Sequence, residues 1–469
     1  MKSLIALLAA GGGGCLLRST TTVVFAFQAA SLFPATISVD RTSSLFRLHS
    51  STNAVVSVGE DAARDVESMD MWATNMGIQR CDGCELTATY EEDGFGGMEE
   101  DWSFVSSQTI AAGSPVLFVP SDVILSSGIV RNELYAFLST AEASLADQGM
   151  EKDIPLFALF VKILAEYERG TDSPFYYWLN SLPRKFNNGA AMTYSCFECL
   201  LPYAAKLAES ERDLFSKFRE TLDYVLVTGF IEKKTRSNMN VLKWAFNAVS
   251  TRSFIVYEGE WMIIPMADYF NHATEPEVTI DHDENGNVCF YAAKDIPAGY
   301  PIRVKYPGPS DPSALLAKYG FLDKQAPGTF CKMMNLQNEM SDLGLTASNM
   351  LFYSNGEIAP EIYDCVLYSI LGNFDQSLQQ QFYDAYTSGD EATKQNFHNQ
   401  YWTYTEQALR EHVDQTLQDL YDLSVRATNK DVVTHPRLPV ILKHNEFVTN
   451  AFYSVRDSLN PPEDTQSLG

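Results

Sequence analysis

The chain lacks the signatures of several common chemistries. No Gly-x-Ser-x-Gly elbow, no Gly-x-x-x-x-Gly-Lys loop and no His-Glu-x-x-His helix occurs anywhere in it. That sets aside elbow-type serine hydrolases, P-loop nucleotide enzymes and zincin proteases. Positive charge is scarce: 34 Lys and Arg stand against 60 Asp and Glu, a net charge of −26. Phosphate backbones need a basic face, so no nucleic acid is expected as a partner. Cysteine is sparse too, and eight in 469 residues do not make a disulfide framework. No segment reaches the ~18 consecutive apolar residues that a membrane-crossing helix needs. No membrane is therefore expected as a partner of the mature chain.

Three ligand signatures are incomplete. Cys81/Cys84 and Cys196/Cys199 form two CxxC pairs, and four thiolates could share a structural zinc. The pairs are far apart, however, and Cys196 to Leu200 reads as part of an apolar helix, so reduced thiols and no metal are expected. Gly94–Phe95–Gly96–Gly97 lacks the third glycine of a dinucleotide fingerprint. The run beginning at Asp281 imitates a calcium loop but has Ala292 at its twelfth position, where a bidentate Glu is needed. A hairpin is the better reading there. Val278 and Ile280 alternate before it, Val288 and Phe290 after it, and Asn285–Gly286 is a favoured tight turn.

Residues 1–53 read as a targeting leader. Lys2 precedes a short apolar run, Leu4 to Ala10, and a second patch spans Val23 to Phe27. The stretch that follows to Asn53 is rich in Ser and Thr, with Asp40 its single acid. A secretory-type signal followed by an acid-poor, hydroxyl-rich stretch predicts delivery to a plastid, with secretion or a cytoplasmic location as alternatives. A lipoprotein signal ending at Cys15 is the runner-up for the leader itself. Beyond it, strands and turns run from about Met71 to Ser127, including the alternating stretch Pro115 to Pro120. Helices follow from Asn132 to Leu242. Ile154, Phe157, Phe160, Val161 and Leu164 show dense helical periodicity, stopped by Gly170. Strands return from Phe254 to Val304, and helices dominate after Phe330. Leu409, Val413, Leu417 and Leu420 form an apolar stripe there, read as the core face of a helix. The order predicts an α+β protein: a β-rich domain split by a helical insertion, then an all-α C-terminal domain.

The informative stretch is Trp244 to Phe321. It holds Thr251–Arg252–Ser253–Phe254, then Asp268–Tyr269–Phe270–Asn271–His272, Ile302–Arg303–Val304–Lys305–Tyr306 and Lys318–Tyr319–Gly320–Phe321. Upstream stand Ile110 to Pro120 and Ser173–Pro174–Phe175–Tyr176–Tyr177–Trp178–Leu179–Asn180–Ser181–Leu182–Pro183. In this order the motifs resemble the SET-domain protein methyltransferases of the Rubisco large-subunit methyltransferase branch, over roughly residues 70–325. The resemblance implies SET-domain parts at 70–128 and 243–325, a helical insertion at 129–242 and a substrate-binding-like helical domain at 330–469. It implies methyl transfer from S-adenosylmethionine to a protein lysine, with a protein partner, a monomeric state and no metal. A protein-histidine target and a catalytically silent scaffold are the alternatives.

The resemblance also implies roles for particular residues. Tyr306 matches the catalytic tyrosine, and Tyr319 the second tyrosine of the lysine channel. Asn271 and His272 match the cofactor-binding pair at the threaded crossing of the fold. Arg252 matches the arginine that reaches the cofactor carboxylate, and Gly94 and Gly96 match a loop whose backbone approaches the cofactor. These residue types suit the chemistry. Free lysine titrates near 10.4, so neutralising it at pH 7 costs about 4.6 kcal/mol. A narrow apolar channel and a nearby sulfonium both lower that cost. Tyrosine rings line such a channel while their hydroxyls orient the amine. The chain departs from the family at Pro307, where glycine is usual, in the acidic run Glu99–Glu100–Asp101, and at Gly128, near where relatives use a glutamate.

Overall fold

The computed structural model describes residues 53–460, apart from 93–97, 258, 309–310, 324, 327, 330–332, 334–335 and 347–348. The β-rich part is a set of small sheets rather than one large one. The largest has four antiparallel strands in the order Gln79–Arg80, Pro115–Val119, Val288–Ala292 and Val278–His282. Ser253–Tyr257 pairs with Glu260–Ile263, which pairs with Leu125–Ser126. Cys84–Glu92 and Met98–Ser106 form a long hairpin, and the acidic run Glu99–Glu100–Asp101 belongs to its second strand.

The predicted hairpin at Val278–His282 and Val288–Ala292 is present, in register Val288 to His282. Its turn is wider than the two-residue form expected from Asn285–Gly286. Gly286 N–H donates to the Asp283 carbonyl, Asp283 N–H donates to Asn287, and Gly286 sits at φ 76°. That is a type I turn followed by a left-handed glycine, the three-residue solution. Two further expectations are corrected. Met71 to Asn75 belongs to a helix, Val66–Asn75, capped by Asp65, because Met69, Trp72 and Ala73 share one buried face. The apolar helix expected through Cys196–Leu200 is a short turn of helix, Tyr194–Phe197.

The helices between the two β parts pack on them through one continuous apolar core. Ile154–Arg169 starts with Pro155 in its first turn, ends against Gly170 and buries eleven of its side chains. Met239–Arg252 is capped by Asn238 and carries Arg252 at its far end. Phe270 joins the β layers: its ring lies 4.8 Å from Phe104 and 5.0 Å from Phe290. Burying such a ring stabilises the fold by about 1.5–3 kcal/mol. After the β-rich part, a second core holds Leu409, Val413 and Leu420 of the 38-residue helix Glu391–Thr428. Leu417, the fourth member of the stripe, is partly buried against it. A third core joins the helices Pro202–Leu226, Pro312–Tyr319 and Leu438–Leu459 through Ala204, Ala208, Leu316, Ala317, Leu438 and Ile441. An α+β fold with a helical insertion and a helical C-terminal region is what the structure shows.

Candidate active site

The site forms where two strands too short to stand alone cross. Asn271–His272 pairs in parallel with Arg303–Val304. A parallel pair cannot be joined by a tight turn, so the intervening chain leaves, forms the hairpin and returns beside its own start. The approach is strained: Met266, wholly buried, sits at φ 74°, the one non-glycine at positive φ among the described residues. Holding such a residue there costs on the order of 1–2 kcal/mol, and strain of this kind clusters at functional sites.

The Trp178 and Ser181 region of the insertion anchors this approach from below. Trp178 Nε1 donates to Asp268 Oδ2 at 3.1 Å, and the Tyr269 hydroxyl donates to the Ser181 carbonyl at 3.0 Å. Asp268 is buried, and burial raises its pKa against the opposing pull of Arg252. Arg252 donates through Nη1 to the Asp268 carbonyl, with 3.7 Å to its carboxylate. This guanidinium is thus committed to the backbone and carboxyl of the residue three before Asn271. Asn271 donates from Nδ2 to Asp101 at 2.8 Å, so the acidic run reaches the crossing.

His272 and Tyr306 are fastened together. Tyr306 N–H donates to His272 Nδ1 at 3.1 Å, which leaves the ring proton on Nε2. Nε2 is buried without a hydrogen-bond partner, and the Asp323 carboxylate is 3.9 Å away. Burial lowers the His272 pKa, so the ring is neutral at pH 7. The Tyr306 ring lies 5.3 Å from His272 and 4.8 Å from Tyr319, with Phe321 completing the cluster. The Tyr306 hydroxyl donates to the Phe270 carbonyl, and the Tyr319 hydroxyl to the Pro307 carbonyl, each at 2.9 Å. Burial raises the pKa of both phenols, so both stay protonated. With its proton committed, each hydroxyl offers its remaining lone pairs to an N–H donor. Pro307 therefore supplies the carbonyl that fixes Tyr319.

Tyr319 is held in place by its own helix. Asp311 caps Pro312–Tyr319 through Ser313 N–H and Ala314 N–H, and Gly320 ends it at φ 82°. A Cβ on Gly320 would lie 2.6 Å from the backbone of Asn187 and Asn188, so glycine is required twice over.

Five of the seven residues singled out from sequence can be placed. Asn271, His272 and Tyr306 meet at the crossing, Tyr319 joins them through its ring, and Arg252 touches the same loop at Asp268. Gly94 and Gly96 lie outside the described residues. Sequence reasoning missed Asp101 as the partner of Asn271, and Lys318, whose ammonium lies 4.9 Å from the Trp261 ring and 5.3 Å from that of Tyr319. It also missed Glu260, whose carboxylate accepts Gly128 N–H at 2.9 Å. Gly128 thus has a carboxylate against it, delivered from a neighbouring strand. Asp101 was flagged only as a departure, and neither Lys318 nor Glu260 carries a sequence signal beyond its place beside a motif.

Residues 101–307, which include this crossing, match the family model for the SET domain. Among solved structures the chain resembles "Crystal structure of the SET domain of LSMT bound to Lysine and AdoHcy", with a TM-score of 0.57 and 14% identity. That match covers 84% of this chain and 90% of the other. It resembles "Structure of Rubisco LSMT bound to AdoMet" equally in TM-score, 0.57, at 15% identity over 85% of this chain and 92% of that one. No curated protein matches the chain in sequence. Residues 101–307 thus resemble a SET domain, and the chain shares the fold of Rubisco LSMT.

Proposed function

We propose that this protein transfers a methyl group from S-adenosylmethionine to a lysine side chain of another protein. One observation carries the reading: Asn271, His272 and Tyr306 converge at the crossing, and Tyr306 opens onto an aromatic wall shared with Tyr319. The residues present suit the methyl donor. Asn271 and the unpartnered Nε2–H of His272 offer polar contacts to its nucleoside or amino-acid groups, and Arg252 is near enough to exchange the Asp268 carbonyl for a carboxylate. When bound, S-adenosylmethionine supplies an electrophilic methyl carbon on a positively charged sulfur.

The chain's own contribution is positional. The Tyr306 and Tyr319 rings exclude water from the amine and disfavour its ammonium form. Their hydroxyls, each already donating to a carbonyl, accept the amine N–H and aim the nitrogen lone pair. No metal is invoked. From the leader alone, the site of action is proposed to be a plastid.

The test is transfer of radiolabelled methyl to proteins of an extract by wild type and Tyr306→Phe. The variant keeps the ring and loses the bond to Phe270, so transfer should fall about 10²-fold while donor binding persists. Donor binding with no transfer by the wild type would favour a silent scaffold. Label recovered on histidine would reassign the target.

A further inference from the structure

An open cleft of about 200 Å³ is walled by Val58, Phe186 and Trp244 and lined with charge. Three cations reach it, Arg184, Lys243 and Arg437, against one carboxylate, Glu60. In a chain of net charge −26 that local excess is unexpected. Arg437 is paired with Glu60 and also donates to the Phe186 carbonyl. Arg184 is only 5% exposed, and its two Nη groups donate to the carbonyls of Leu179, Leu182, Ala63 and Asn180 and to Asn180 Oδ1. Its Nε has no hydrogen-bond partner, and no carboxylate pairs with it among the described residues. Lys243 is half-buried, and burial together with Arg212 and Arg437 lowers its pKa against the opposing pull of Glu60. Asn240 and Asn247 add polar groups to the wall.

A buried guanidinium held only by neutral acceptors keeps its charge without a counter-ion, and here it lines an open cleft beside Lys243 and Arg437, with Glu60 the one carboxylate among the lining residues. We infer that this cleft binds a phosphate group, either inorganic phosphate or the phosphate of a small metabolite, between Lys243 and the two arginines. Doubly charged oxyanions suit such a set better than chloride. The cleft is distinct from the crossing but shares a wall with its support. Asn188 donates both to Asn247, in the cleft wall, and to the Lys318 carbonyl, one residue before Tyr319.

The test uses the full chain and follows its melting temperature with inorganic phosphate, and separately glycerol 3-phosphate, against chloride at matched ionic strength. A saturable rise with either phosphate is expected. A tighter response to glycerol 3-phosphate assigns the site to a phosphorylated metabolite, an equal one to phosphate itself. Lys243→Gln should raise the half-saturating concentration about tenfold. Asn240→Asp, a charge favourable in the first turn of its helix, should weaken binding similarly without endangering the fold. Lys217→Gln, on an exposed helix face, should change nothing. No rise beyond that in chloride, or a rise that both cleft variants retain, overturns the site.

Discussion

His272 does two jobs with one ring. Its Nδ1 accepts the Tyr306 N–H, which fixes the tautomer, and its Nε2 faces inward with a proton and no partner. His272→Leu removes the acceptor and leaves a buried N–H unsatisfied, at about 1–3 kcal/mol. Denaturant unfolding should show that loss, and equilibrium dialysis should show weaker uptake of S-adenosylmethionine. Tyr306→Phe differs: one hydrogen bond is lost, worth about 1 kcal/mol, so its stability should be nearly normal while transfer collapses. A variant pair that failed in the reverse pattern would sink the division of labour between ring and hydroxyl.

Among elements, the helix Pro312–Tyr319 is the most exacting. Gly320→Ala forces a Cβ into backbone at φ 82° and should destabilise by about 3 kcal/mol or more in urea titrations. Transfer should fall with it, because Tyr319 immediately precedes the clash. The same helix meets the C-terminal helix Leu438–Leu459 through Ser313, whose hydroxyl lies 2.9 Å from His444 Nε2. Full burial lowers the His444 pKa to about 4. Above pH 6.5 this histidine is neutral both folded and unfolded, so its stabilising contribution is complete there. As pH falls from 6.5 towards 4, the unfolded chain takes the proton first and stability drains by on the order of 3 kcal/mol. Melting curves across that range should fall steeply for wild type and less so for His444→Gln. Equal slopes would show that His444 is not the group responsible. The helical stripe at Leu409 to Leu420 and the Val278–Ala292 hairpin were both legible in sequence, because each pattern has a local period. The helix Val66–Asn75 was missed although Val66, Met69, Trp72 and Ala73 follow a helical period; its Trp72 is fixed by a bond to the distant Pro174 carbonyl.

At the scale of the whole molecule, the C-terminal helices are more than an appended docking surface. Arg437 bonds the Phe186 carbonyl, Asn445 the Cys199 carbonyl and Arg426 the Glu198 carbonyl, all across the third core behind Tyr319. Calorimetry of the full chain should therefore show one cooperative transition for residues 53–460, with no separate melting of the helical part. Two resolved transitions would mean that the C-terminal helices can detach without disturbing Tyr319.

The order of motifs was enough by itself to carry the resemblance to a SET domain split by helices, because each motif is a contiguous run that can be matched without the fold. Asn271, His272, Tyr306 and Tyr319 could be named on that basis. Only the tertiary structure decided their partners: Asp101 beside Asn271, Asp268 under Arg252, Pro307 holding Tyr319, Glu260 against Gly128 and the cations around Arg184. The four hydrogen-bonded pairings join residues from 12 to 170 positions apart. A contact across such a distance depends on how the chain threads back past itself, which no local pattern of side chains encodes.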